Sequence, residues 1–447
     1  YPSGDIYDRR GVGTVKVSKS NVPEVFRLCG FPYCFLHNYN LYPVEKPDGY
    51  QKTQVETLIE QDAQHYVQPK VQPNVLFLMC ESYSDLSDAD VFAYTEEDDP
   101  MHGFHVLADS PRARSGHIAV SNFGAGTANT EFDVLTGIQT NMISTTNISA
   151  FRVVHKAVNA LPWDYQQAGY STLFMHPGYS WFYNRSNVNE YLGFDESVFN
   201  DTGFGDLISI SDALYSSDRI LVDYLLEDID ARTAEDDPLF LFSVSYQNHG
   251  PYPSETYWEE YATPEKTGWS METCCVINNY LAGIRSTVNE MCRMTEELEA
   301  RDEPIVFVFF GDHKPWMGNG NSVYTEIGVD LDVSTLEGFY NYYATPYVIY
   351  ANEAARELLG SDFAGDGGDF SPCFLMARLF DECGWEGPGL MQLQREMREV
   401  SPLMSSNGWR MQDGQLTAAL EGAAEDENNR YLRAQYYIET HLKEDAS

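Results

Sequence analysis

Five short runs, Val75–Met79, Ser171–Met175, Leu239–Tyr246, Ile305–Phe310 and Ala344–Tyr350, are almost continuously apolar and rich in β-branched and aromatic residues. Their length suits strands. Uninterrupted rather than alternating apolarity predicts strands covered on both faces, as in a mostly parallel sheet. Between them lie helical patterns at Asn129–Leu135, Ala157–Gln167, Asp212–Ile229 and Cys275–Leu298. This alternation, from about residue 71 to about residue 355, predicts an α/β doubly wound domain with helices flanking the sheet. Residues 1–70 read as an extended arm with a short helix or two, 71–370 as the main domain, and 371–447 as a small helical C-terminal extension. Ser84–Asp99 and Gly360–Asp369 read as solvated loops, and Gly414–Leu442 as a charged helix or two.

In open α/β sheets, ligands bind outside the carboxyl ends of the strands. Four runs end in Cys80-Glu81-Ser82-Tyr83, Met175-His176-Pro177, Gln247-Asn248-His249-Gly250 and Gly311-Asp312-His313. Singly, each has an ordinary explanation: a solvated loop carboxylate for Glu81, satisfied half-buried histidines for His176 and His249, a turn with a helix cap for Asp312-His313. A parallel sheet brings these ends onto one edge, where two carboxylates and an imidazole form an oxygen and nitrogen cage for a divalent ion. That donor set suits Mn²⁺ or Mg²⁺, with Zn²⁺ as a further alternative.

Charge sharpens the need for a cation. With 28 Lys+Arg against 68 Asp+Glu the chain carries a formal charge of −40. It cannot neutralise nucleic-acid phosphates by counterion release, so no nucleic-acid partner is expected. An anionic substrate must be met by a bound cation or by a few local Arg and His residues. The small-residue loop Gly124–Gly126 leads into a helical pattern and places Thr127 near a helix N-terminus, where backbone N–H groups favour a phosphoryl oxyanion. Thr127 reads there either as an N-cap or as a nucleophile whose hydroxyl a metal would help to ionise. Arg185, ending Tyr179–Arg185, reads as a bidentate phosphate clamp or as a surface salt bridge. Trp181, Phe182 and Tyr183 beside it also fit a core.

No apolar run approaches the roughly 20 residues of a membrane helix. The chain begins at Tyr1 without an initiator Met or signal sequence, so it reads as a mature or excised fragment. None of the eight cysteines forms a CxxC pair. Cys29/Cys34 and Cys373/Cys383 fit either local disulfides of an exported protein or free buried thiols.

Taken in order, seven segments resemble the lipoteichoic acid synthase and phosphoglycerol transferase family, a sulfatase-like branch of the alkaline phosphatase superfamily. They are Asn74–Ser82, Gly126–Gly137, Ala160–Pro177, Phe182–Arg185 with Leu192–Asp195 downstream, Leu239–Tyr252, Phe310–Pro315 and Thr345–Asn352. The resemblance covers roughly residues 74 to 352. It implies an alkaline-phosphatase/sulfatase-like fold and one divalent ion, usually manganese, held by Glu81, Thr127, Asp312 and His313. Thr127 would be the nucleophile, and His176, Tyr183, Arg185 and His249 the substrate contacts. Tyr183 stands where some members have Trp. Lys314 stands where many relatives have an apolar residue, and Ala128-Asn129-Thr130 departs from the Ser-Asp of the lipoteichoic acid polymerases.

The implied reaction is a double displacement moving glycerol phosphate from a phosphatidylglycerol-like lipid, through Thr127, to a hydroxyl of a cell-envelope glycan or polyol phosphate. The resemblance also implies an N-terminal membrane region outside this chain and a site on the outer face of a bacterial cytoplasmic membrane. A phosphoethanolamine transferase, a phosphodiesterase or an inactive binding domain would keep the same core. A true sulfatase would need a formylglycine precursor in a Cys/Ser-x-Pro/Ala-x-Arg motif, and no cysteine is followed by that pattern.

Overall fold

The computed structural model describes residues 46–63, 72–87, 94–96, 98–140, 149–152, 154–204, 210–233 and 238–440. Its central sheet is built from β1 (Asn74–Cys80), β2 (Ala113–Ala119), β3 (Ser171–His176), β4 (Glu196–Phe199), β5 (Leu239–Val244), β6 (Ile305–Gly311), β7 (Ala344–Ala351) and β8 (Gly365–Asp366). The spatial order is β4-β3-β5-β1-β6-β7-β2-β8. All five apolar runs are strands, and the sheet is mostly parallel as expected. Only β7, among these strands, runs against its neighbours β6 and β2.

Period-two geometry explains the continuous apolarity. In β1 every residue is buried. Val75, Phe77 and Met79 enter the core on one face, and Leu76, Leu78 and Cys80 the core on the other. The helices Ile210–Thr233 and Met271–Glu299 supply Leu221, Leu225, Ile277 and Ile284 to the second of these cores. Thr127–Thr136, Leu161–Gln167 and Leu375–Glu382 cover the first. The chain turns into Met271–Glu299 at Ser270, whose hydroxyl accepts from Thr273 N–H at 3.2 Å and satisfies one orphan donor of the first turn.

Register positions the site. Cys80 lies opposite Gly311 in the parallel β1–β6 pair. The residues that follow, Glu81 and Asp312, therefore leave the sheet side by side, about one strand spacing (~4.8 Å) apart. The Asp312 N–H still donates to Cys80 O at 3.1 Å, which carries the ladder one step past the strand ends.

Several expectations need correction. Of the two readings open for Cys373 and Cys383, free buried thiols hold and the disulfide does not. The eight-residue helix Leu375–Glu382 separates them, a rise of about 12 Å against the ~7 Å limit for Cα atoms of a disulfide. Cys29 and Cys34 lie outside the described residues. Ser84, Asp85 and Leu86 are buried rather than solvated, and Asp85 is anchored to His105 Nε2 at 2.7 Å. The segment Gly360–Asp369 carries the edge strand β8, and its Asp369 accepts from the His117 N–H at 2.8 Å. Gly414–Leu442 is not helical throughout. Asp413 and Gly414 both take positive φ and turn a two-stranded hairpin, Arg410–Gln412 with Gln415–Thr417, before the helix Ala423–Thr440.

Of residues 1–70, the stretches 1–45 and 64–70 lie outside the described residues. The described part is helical over Lys52–Ala63 and packs on the helices Gly389–Val400 and Ala423–Thr440. Val55 is buried there, and Tyr50 meets Tyr436 edge-on at 4.8 Å. Among the described residues, no helix is long and apolar enough to cross a membrane.

Gly311 is where sheet and site meet. A Cβ on it would collide with Tyr83 O and lie 2.9 Å from Thr345 Cβ. We expect Gly311→Ala to destabilise the fold by about 1–3 kcal/mol, the usual cost of overpacking, measured by urea unfolding. Unchanged stability would mean that β6 and the Tyr83 turn are not tightly packed there.

Candidate metal and phosphate site

One oxygen each from Glu81 and Asp312 and a ring nitrogen of His313 lie within 4.8 Å of one another, all three residues buried. His313 Nε2 is 3.5 Å from Glu81 Oε1 and 3.3 Å from Asp312 Oδ2. His313 Nδ1 lies 3.0 Å from Lys314 O, an acceptor only, so Nδ1 holds the proton and Nε2 is turned to the carboxylates. Burial first, and the Glu81 carboxylate second, push the Asp312 pKa up to about 7. Burial disfavours the His313 imidazolium, but Asp312 and Glu81 outweigh it and hold its pKa above the ordinary histidine value. Asp312 Oδ2 is buried without a hydrogen-bond partner. An unpartnered carboxylate oxygen amid a second carboxylate and an imidazole fits a divalent cation, which would satisfy all three groups together.

Thr127 opens the helix Thr127–Thr136, and the capping position falls to Gly126 at φ 101°. The cap reading of Thr127 is therefore corrected. Its hydroxyl instead donates to Glu81 Oε2 at 3.3 Å, on the edge of the cluster. The helix is fixed beneath it. Thr130 Oγ1 donates to Asp312 O at 2.7 Å, and Asn129 Oδ1 accepts from Ala150 N–H at 2.7 Å.

Ser82, assigned no role by the sequence, ties both carboxylates. Its N–H donates to Asp312 Oδ1 at 2.7 Å and its hydroxyl to Glu81 Oε1 at 2.9 Å. It does so at φ 51°, a left-handed conformation costing a non-glycine residue of order 1 kcal/mol. Tyr280 Oη helps to hold it by donating to Ser82 O at 2.9 Å. Its adjacency to Glu81 was the one signal available.

Arg185 is not on the surface. It is 1% exposed, with Nε 3.2 Å from Glu131 Oε2 and Nη2 bonded to Glu131 Oε1. Its guanidinium lies 5.1 Å from the centroid of the Tyr183 ring, and Nη1 is buried without a hydrogen-bond partner. Glu131 stands one helical turn after Thr127, so a single helix carries both the hydroxyl and the carboxylate that orients the arginine. The helical spacing was visible in the sequence; the partner was not. Burial foremost raises the Tyr183 phenol to about 12, so it stays protonated. Trp181 is 61% exposed, so the core reading fails for it.

His176 is buried, with Nδ1 2.9 Å from Val244 O. Burial first, then the Arg185 charge, hold its pKa well below the ordinary value. It is thus neutral with Nε2 as an acceptor, suited to a hydroxyl rather than to a phosphate oxygen. A Cβ at Gly178 would collide with that nitrogen. His249 is exposed, its Nδ1 2.6 Å from Gly250 O and its ring stacked 5.4 Å from Tyr246. Glu81, Thr127, His176, Tyr183, Arg185, His249 and His313 all line one cavity of about 490 Å³; Asp312 lies behind its wall.

The family model of the sulfatases matches residues 73–366 of this chain. A putative cyclic β-1,2-glucan modification protein of Rhizobium meliloti is 25% identical over 370 residues, 82% of this chain and 54% of that protein. The chain spans about half or less of the length of the curated relatives it matches. The solved Streptococcus pyogenes phosphoglycerol transferase GacH, in complex with sn-glycerol-1-phosphate, superposes with a TM-score of 0.64 at 20% identity, covering 88% of this chain and 94% of that one. A protein in the alkaline phosphatase superfamily from Vibrio parahaemolyticus gives 0.55 at 13%, covering 90% and 98%. The fold is therefore the alkaline-phosphatase/sulfatase-like one expected.

Two substitutions test the supports. Glu131→Gln leaves a buried guanidinium without its countercharge, and we expect it to cost about 3–5 kcal/mol in urea unfolding; a loss below about 1 kcal/mol would mean that the pair is not buried. Ser82→Ala removes only the hydroxyl, and we expect calorimetric Mn²⁺ affinity to fall about 10- to 100-fold, as for other groups orienting metal ligands. Equal affinity would assign Ser82 to the fold alone.

Proposed function

The chain belongs to the sulfatase family, and from that premise we propose that it is a metal-dependent phosphoglycerol transferase. It takes glycerol phosphate from a phosphatidylglycerol-like lipid and passes it, through Thr127, to a hydroxyl of a cell-envelope glycan or polyol phosphate. The observation that carries this reading is the meeting, around one cavity, of a cation cage, a threonine hydroxyl at its edge and an arginine with an unpartnered Nη1. A sulfatase reaction is disfavoured, because among the described residues no cysteine lines that cavity and neither of its serines, Ser82 and Ser254, is followed by x-Pro/Ala-x-Arg.

Glu81, Asp312, His313 and Thr127 are the residues to hold the ion, Mn²⁺ foremost with Mg²⁺ or Zn²⁺ as alternatives. When bound it supplies Lewis acidity to the hydroxyl and the phosphoryl group. Thr127 Oγ1 passes its proton to Glu81 Oε2, to which its hydroxyl already donates, and attacks phosphorus. The bond from phosphorus to the diacylglycerol oxygen breaks, and that oxygen takes a proton, for which the exposed His249 is placed. Glycerol phosphate remains on Thr127 as a phosphodiester. Arg185, held rigid by Glu131 and Tyr183, presents Nη1 to the phosphoryl oxygens. His176 Nε2 accepts from a glycerol hydroxyl. The acceptor hydroxyl then passes its proton to His249 and attacks phosphorus, the bond to Thr127 Oγ1 breaks, and that oxygen takes back the proton held by Glu81.

A lipid donor places residues 71–370, as the catalytic part, at a membrane. We assign the whole protein to the outer face of a bacterial cytoplasmic membrane, tethered by a region outside this chain, with 371–447 as an extension packed on the core. A tether would offset repulsion between a −40 chain and an anionic lipid surface.

The test is release of diacylglycerol from labelled phosphatidylglycerol, run beside phosphatidylethanolamine, with Mn²⁺ or chelator. We expect metal-dependent release from phosphatidylglycerol that falls at least 10³-fold in Thr127→Ala, the scale of a lost nucleophile. Preference for phosphatidylethanolamine would make it a phosphoethanolamine transferase, turnover of soluble phosphodiesters alone a phosphodiesterase, and silence on all three an inactive domain.

A further inference from the structure

The cavity is larger than a three-carbon headgroup needs; about 490 Å³ falls in the range of sites for ligands of drug size. Beyond the residues assigned above, its wall includes Tyr252, Ser254, Glu272, Trp316 and Asn319. Trp316 is half exposed, yet it is fixed in place. Its Nε1–H donates to Gly318 O at 3.0 Å, and Phe123 meets it edge-on at 6.3 Å. It stands against the loop that leads to Thr127, since a Cβ on Gly124 would come within 2.8 Å of Trp316 Cβ. A large apolar ring left exposed at a catalytic loop, but rigidly held, is a platform for a ligand with a flat apolar face.

The surrounding charge says which ligand. Arg185 is the one Lys or Arg among the described residues lining the cavity, and Glu131 together with the transferred phosphoryl group engages it. Glu272 adds a carboxylate at the wall, in the first turn of the helix Met271–Glu299, and the chain as a whole carries −40. Away from the cation cage and Arg185, these charges repel a polyanionic acceptor and leave an uncharged polyol unaffected. Carboxylate, amide and hydroxyl groups lining one cavity with an indole match the hydroxyls and the apolar face of a pyranose.

We propose that Trp316, with Glu272, Ser254 and Asn319, forms the acceptor subsite and that it takes an uncharged sugar residue of a glycan, not the end of a glycerol phosphate polymer. The proposal rests on the transferase reading and names its acceptor.

The test is titration of the whole chain with a neutral gluco-oligosaccharide, with an oligomer of glycerol phosphate and with phosphatidylglycerol vesicles, followed by tryptophan emission and calorimetry. We expect the saccharide to bind and the anionic oligomer not to. Trp316→Ala should weaken saccharide binding at least about tenfold, and Trp316→Phe, which keeps an aromatic face, should restore most of it. Melting curves of both variants exclude a folding defect. Equal or tighter binding of the anionic oligomer, no saccharide binding, or a Trp316→Ala variant that binds saccharide like the parent would overturn the proposal. So would an emission shift caused only by vesicles, which would make Trp316 a membrane contact. These titrations need no donor turnover, so they fail or succeed separately from the diacylglycerol assay.

Discussion

Two carboxylates buried beside an imidazole, within 4.8 Å of one another, repel each other and are desolvated, which a fold does not tolerate without compensation. The protein supplies part of it. Asp312 Oδ1 accepts from the N–H groups of Ser82 and His313, and both Glu81 oxygens accept from hydroxyls, those of Ser82 and Thr127. What remains is the unpartnered Asp312 Oδ2 and a carboxyl pushed up to about 7. The nearby structure follows from holding these groups together. The β1–β6 register sets Glu81 beside Asp312, Gly311 lets Tyr83 O approach, and Ser82 accepts a left-handed backbone to face both carboxylates.

A second buried charge is treated in the opposite way. Arg185 is neutralised by Glu131 from the helix that starts at Thr127, so the Thr127 hydroxyl and the guanidinium are tied to one helix. Burying that pair fixes geometry more than it adds stability. It also leaves one guanidinium nitrogen, Nη1, without a hydrogen-bond partner in a chain of net charge −40.

Much of this was legible in the sequence because fully buried strands write a simple pattern. β1, β3, β5, β6 and β7 are apolar on both faces, and the carboxyl ends of the first four carry Glu81, His176, His249 and Asp312-His313. β2, with Gly and His midway and partial exposure, and the four-residue β4 give no such signal. Nor does apolarity carry direction, so antiparallel β7 read like its parallel neighbours. The pairings Ser82 with Glu81 and Asp312, and Arg185 with Glu131, depend on contacts as many as 230 residues apart in sequence. Thr127 was ambiguous for a physical reason: a threonine at a helix start serves as cap or nucleophile, and only the glycine occupying the cap position decides against the cap.

The claim on which the account turns is that the Glu81, Asp312 and His313 cluster exists to hold one divalent cation. Isothermal titration of the metal-stripped chain with Mn²⁺ tests it most directly. The account predicts one ion per chain, a rise in melting temperature on binding, and loss of both effects in Asp312→Asn. Absence of binding, or binding that survives Asp312→Asn unchanged, would contradict it.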